Sequence, residues 1–120
     1  MKTAEEIMTE YVNMPELTGS EKQITWAEKI RRGKFYSIGI FIEENKSDFL
    51  KNDAIKDRFN DIEMPFTSEN VNREIAKAIS SIFLKQDSSW WIDCRDIKAN
   101  LLICEEVEYL VTGEYLWEKL

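Results

Sequence analysis

Apolar residues recur along most of this chain with the period of helices, three and four positions apart. Thr3 and Glu6 have the spacing of a capping box, and Ile7, Met8, Tyr11 and Val12 follow as an apolar face that Pro15 closes. Ser20 and Gln23 repeat the capping device. Ile24, Ala27 and Ile30 then lie along one side of the predicted helix, with Trp26 beside that stripe. Lys29, Arg31 and Arg32 crowd its far end, where cations meet the negative pole of the helix dipole, and Gly33 stands where a left-handed cap would fall.

Residues 34–44 fit two patterns. Tyr36, Ile38, Ile40 and Ile42 alternate with Phe35, Ser37, Gly39 and Phe41 as in a strand, while Phe35, Ile38, Ile42 and Phe49 continue the helical stripe. Two glycines each disfavour a helix by about 1 kcal/mol relative to alanine. Helical neighbours on both sides favour helix, broken at Gly33. Ser47 is placed to cap a helix carrying Phe49, Leu50, Ile55, Phe59 and Ile62. After the loop at Met64-Pro65-Phe66, Thr67 or Ser68 caps the most regular helix, with Val71, Ile75, Ala78, Ile79, Ile82 and Phe83 on one face. Asp87-Ser-Ser89 opens an element containing Trp90 and Trp91. In the tail, Ile97 to Val111 reads as a helix that stops before Gly113, or residues 107–118 form a hairpin around Thr112-Gly113; helix is favoured. The fold expected is mostly α: a compact single-domain helical bundle over residues 1–120, with room for a small β element near the C-terminus.

Composition sharpens the functional side. The 120 residues carry a net charge of −7. Glu105, Glu106, Glu108, Glu114 and Glu118 lie between Lys98 and Lys119 with no basic residue among them. A negative field repels phosphate backbones and favours basic partners. There is no histidine, which removes the commonest general base and transition-metal ligand. Cys94 and Cys104 form no C-x-x-C pair, so neither a zinc site nor a disulfide framework is expected. No phosphate-binding glycine loop or nucleophile elbow is present. Met1 to Glu6 is too charged for a secretory leader, and no apolar run is long enough to span a bilayer, so a cytoplasmic location is expected.

Three polar clusters remain. Asp93 and Asp96 flank Cys94 and Arg95, which reads as an ion pair or cap before it reads as an acid–base pair. Cys94 beside Arg95 lacks the histidine that would complete its activation. Lys29, Arg31, Arg32 and Lys34, with Trp26 or Tyr36 to stack on bases, form the one basic cluster.

Two stretches are familiar. Leu17-Thr-Gly-Ser-Glu-Lys-Gln-Ile-Thr-Trp-Ala-Glu-Lys-Ile-Arg31 resembles a motif of small proteins from phages, prophages and plasmids of Gram-positive bacteria. Ser88-Ser-Trp-Trp-Ile-Asp-Cys-Arg-Asp96 resembles a second motif of those proteins, in which Cys94 replaces the usual Asn. The resemblance implies a mobile-element protein acting in a bacterial host cell and brings no enzymatic activity with it. Anti-CRISPR and other anti-defence proteins illustrate the strategy of small acidic binders that block host machinery.

The expectations are then these. The protein is non-enzymatic, needs no cofactor or metal, and binds and inhibits a host protein with a basic surface. Its acidic face comprises Glu105, Glu106, Glu108 and Glu114, with Tyr109 and Trp117 as aromatic anchors. The two motifs pack together as a structural centre formed by Trp26, Arg31, Trp90, Trp91, Asp93 and Arg95, with Arg31 or Arg95 paired to Asp93. The alternative is a nucleic-acid-binding accessory protein using the basic cluster.

Overall fold

In the computed structural model, residues 3–10, 14–45 and 48–115 are described, apart from the side chains of Glu5 and Glu10. The described residues form a mostly helical, compact fold of six helices, with no strand beyond one isolated bridge. The helices are α1 (Ala4–Glu10), α2 (Glu21–Asn45), α3 (Asp53–Asp61), α4 (Ser68–Phe83), α5 (Ser88–Asp93) and α6 (Ala99–Thr112), with a 3-10 turn (Phe49–Lys51) ahead of α3.

Side-chain caps set most of the boundaries. Thr3 Oγ1 accepts from the Glu6 N–H ahead of α1. Before α2 both halves of the capping box close: the Gln23 N–H donates to Ser20 Oγ at 3.2 Å, and the Ser20 N–H to Gln23 Oε1 at 3.0 Å. Thr67 caps α4 and Asp87 caps α5. Gly113, at φ 80°, ends α6 in the left-handed conformation that lacks a Cβ penalty. The segment after residue 47 is not one helix, because two side chains divide it. Asp48 accepts from the Leu50 N–H to start the 3-10 turn, and Asn52 accepts from the Ile55 N–H to start α3. Ser47 lies outside the described residues, as do Tyr11 and Val12.

The ambiguous stretch 34–44 belongs to α2, which runs through Gly33 without a break. Burial decides it: Ala27, Arg31, Lys34, Ile38, Phe41 and Ile42 all turn inward from one side of a 25-residue helix. That packing outweighs two glycines at about 1 kcal/mol each. The tail is likewise helix, not hairpin, through Thr112; residues 116–120 lie outside the described set.

One hydrophobic cluster joins all six helices, from Ile7 on α1 through Ile38, Phe59, Ile79 and Trp91 to Val107 on α6. α6 packs on α4, α3 and α2, so its middle is enclosed on nearly every side. Residues 102–107 are buried without interruption. This position of α6 determines what its carboxylates do.

Candidate interaction surfaces

The expected acidic face does not form on α6. Glu106 is fully buried and Glu105 nearly so, because α6 is a central helix and its polar residues are flanked by Leu102, Ile103, Cys104 and Val107. Carboxylates in such a place require partners. Arg58 on α3 reaches Glu105 at 2.8 Å and Glu108 at 3.8 Å. Burial acts to lower Arg58, but the hydrogen bond and charge of Glu105 outweigh it and hold the guanidinium above its ordinary value. Glu106 accepts from Ser81 Oγ at 2.5 Å, from Lys85 Nζ at 3.3 Å and from the Tyr115 hydroxyl.

The ammonium of Lys85 completes an interior box. It lies 4.7 Å from the Tyr109 ring centroid, 5.5 Å from Trp90 and 5.6 Å from Tyr115. Tyr109 and Tyr115 stack at 4.1 Å with nearly parallel rings. Tyr109 is therefore half-buried and engaged inside the fold instead of serving as a surface anchor. Of the expected acidic face, Glu108 is half-buried beside Arg58, Glu114 is exposed, and Trp117 lies outside the described residues. Summing charge along the sequence could not reveal this. The usable signal was the unbroken apolar run around Glu105 and Glu106, which demands cations from elsewhere: Arg58 and Lys85.

The two familiar motifs do meet. Backbone bonds join them: the Thr18 N–H donates to the Gln86 carbonyl at 2.7 Å, and the Ser88 N–H to the Thr18 carbonyl at 3.1 Å. Gly19 sits at the junction with φ 133°, and a Cβ there would lie 3.0 Å from Gln23 Oε1 and 3.3 Å from Ser88 Cβ. Only glycine suits that conformation and that closeness. Further along, the Arg95 guanidinium lies 5.4 Å above the Trp26 ring. Trp91 is fully buried, stacked on Phe83, with its Nε1–H donated to the Lys85 carbonyl at 3.0 Å. The expected pairing with Asp93 does not occur. Asp93 is exposed, Arg31 donates to the Pro15 carbonyl at 2.6 Å, and the ion-pair partner of Arg95 is Asp96, at 3.9 Å.

The basic cluster is split by the helical period. Arg31 and Lys34 turn inward, where burial pulls both below their ordinary pKa values. Lys34 donates to the carbonyls of Arg95 and Ile97, which braces the connection between α5 and α6. Lys29 and Arg32 remain on the surface.

Both cysteines are buried and free of disulfides. Burial pushes the Cys94 thiol up to about 12 and the Cys104 thiol up to about 11. Burial also pushes the Tyr115 phenol up, reinforced by its hydrogen bond to the Glu106 carboxylate and by that charge. Groups that hold protons more tightly folded than unfolded lend stability below their unfolded pKa values, near 9 for the thiols, and lose it as pH rises toward the folded ones. The expected result is a melting temperature that falls above about pH 9. The slope should be shallower in a Cys94→Ala/Cys104→Ala variant, and native protein should resist thiol reagents until unfolded. An equal slope in both proteins contradicts this.

Asp93 and Asp96 are both exposed. A groove of about 510 Å³ between α1, α4 and α6 is lined mainly by Ile7, Ala76, Leu84 and Leu110. Ser81 also lines it and donates its hydroxyl to Glu106. Among the described residues, no group of three or more Cys, Asp or Glu converges as a metal would require, and no helix is long and apolar enough to cross a membrane.

The outer side of α2 carries what the sequence reading passed over. Lys22, Trp26, Lys29, Gly33, Tyr36, Ile40 and Glu44 follow one another at intervals of three or four residues, which places them in one line along the helix. All are exposed: Trp26 by 49%, Tyr36 by 69% and Ile40 by 60%. A Cβ at Gly33 would meet nothing within 4 Å. The line was visible in the sequence, but the competing inward stripe and the strand-like alternation obscured it. Comparison with family models, curated proteins and solved structures returns no match.

Proposed function

We propose that this chain is a non-catalytic binding protein whose working surface is the outer face of α2, and that it recognises another protein. The observation that carries the reading is the single line of Trp26, Tyr36 and Ile40, three large side chains from 49% to 69% exposed on one helix. Exposed aromatics in a row are the residue types that anchor interfaces. Arg95 holds the Trp26 ring from one side, which orders the anchor before a partner arrives.

Resemblance of the two motifs to proteins of mobile elements favours a host protein as the target and inhibition as the outcome, in the manner of anti-defence proteins. Nucleic acid is the weaker reading. Two of the four cations offered for it are interior, and the chain carries a charge of −7.

A comparison of three baits in host lysate tests the proposal. Wild type and an Asp53→Lys/Asp57→Lys/Asp61→Lys variant, altered on the exposed side of α3, should capture the same protein. A Trp26→Ser/Tyr36→Ser/Ile40→Ser variant should lose it. Retention by the α2 variant rejects the surface, and tight salt-dependent binding in a gel shift would favour the nucleic-acid reading instead.

A further inference from the structure

The outer face of α2 is complementary to itself. Reversing the helix about Gly33 brings Lys22 opposite Glu44 and Trp26 opposite Ile40, since each pair is spaced equally about residue 33. The same reversal sets Lys29 against the neighbourhood of Tyr36, where an ammonium can lie over the ring. Among the described residues, neither Lys22 nor Glu44 has an ion-pair partner in its own chain. At the centre of the line, Gly33 has no Cβ and no neighbour. Small residues at a helix crossing let two backbones approach closely.

We infer that the outer face of α2 pairs with the same face of a second copy of this chain, antiparallel and centred on Gly33. This rests on reading that face as a contact surface, and it names the partner. A twofold arrangement requires that residue i meet j while j meets i, which is what Lys22 with Glu44 and Trp26 with Ile40 provide twice over. The paired line runs about 33 Å at a rise of 1.5 Å per residue. Two packed helix axes lie roughly 8–10 Å apart, and each Cα sits about 2.3 Å from its axis. The two copies of residue 33 would then approach to roughly 3.4–5.4 Å, which reaches the near edge of disulfide range. Homodimer and target compete for one surface, so the dimer is the form present when no target is bound.

Sedimentation of the full chain across a dilution series is the first measurement, with a reversible monomer–dimer equilibrium expected. Lys22→Glu and Glu44→Lys should each weaken the dimer roughly tenfold, because each reversal makes both symmetry-related pairs repulsive. Combining them restores opposite charges across the interface and should recover it, a rescue that a merely misfolded variant cannot show. Gly33→Leu improves helix propensity, so it should keep or raise the melting temperature while abolishing the dimer. Under mild oxidation Gly33→Cys should form a covalent dimer, since Cys94 and Cys104 are buried and do not compete. A monomer at all concentrations, or no rescue by the double reversal, overturns the inference. If those results appear while the Trp26/Tyr36/Ile40 variant still loses its captured protein, self-pairing falls and the contact surface stands.

Discussion

Lys85→Met is expected to destabilise the protein by about 3–5 kcal/mol, the usual cost of removing one partner from a buried ion pair. The substitution keeps the apolar stem of the side chain and removes only the charge. It leaves the Glu106 carboxylate, fully buried, with the neutral donors Ser81 and Tyr115 alone. It also removes the cation that faces the rings of Trp90, Tyr109 and Tyr115. Glu106→Gln should cost less, because the amide keeps an acceptor for Ser81 or Tyr115 and leaves no buried anion behind. The double variant should be more stable than Lys85→Met alone, since it removes both charges together. Denaturant unfolding of the four proteins measures the coupling. Independent, additive costs would mean that Lys85 and Glu106 do not act as a unit.

Trp91→Ala is expected to cost a similar 3–5 kcal/mol, by a different route. The indole is fully buried, stacks on Phe83 with ring centroids 6.1 Å apart, and meets Trp90 edge-on at 4.9 Å. Deleting it opens a cavity between α2, α4 and α5 and strips the Lys85 carbonyl of the donor it receives from Nε1. Trp91→Phe should recover part of the packing but not the hydrogen bond, and so should lie between the two. At roughly 3–6 °C per kcal/mol for a chain of this size, Trp91→Ala should melt well over 10 °C below wild type. Trp90, half-buried, should tolerate truncation better. The reverse order would contradict the assignment of Trp91 as the interior member of the pair.

Local signals were the legible part of this fold. The capping box at Ser20 and Gln23, the caps at Thr67 and Asp87, and the glycine stop at Gly113 depend on neighbours two to four residues away, and each forms. The face of α4 was equally readable, since its apolar residues point one way and its polar residues the other.

Charge placement was not legible in the same way, because it depends on which helix is central. A run holding Glu105 and Glu106 reads as solvated until α3, α4 and α2 are seen to surround it. The basic cluster failed for a related reason. Lys29, Arg31, Arg32 and Lys34 are adjacent in sequence, but successive residues on a helix point about 100° apart, so two face water and two face the core. Arg31 serves instead to hold the Pro15 carbonyl, and Lys34 the carbonyls of Arg95 and Ile97, which ties α2 to the end of the second motif.

The contact surface proposed above is the outer line of α2, where Trp26, Tyr36 and Ile40 are exposed. Photo-crosslinking tests it most directly. A benzoylphenylalanine placed at Tyr36 and another placed at exposed Glu114 would be compared in host cells under the same illumination. Covalent protein adducts from position 36 and none from position 114 are predicted. Adducts from position 114 with none from position 36 would contradict the account and return the contact surface to the acidic end of the chain.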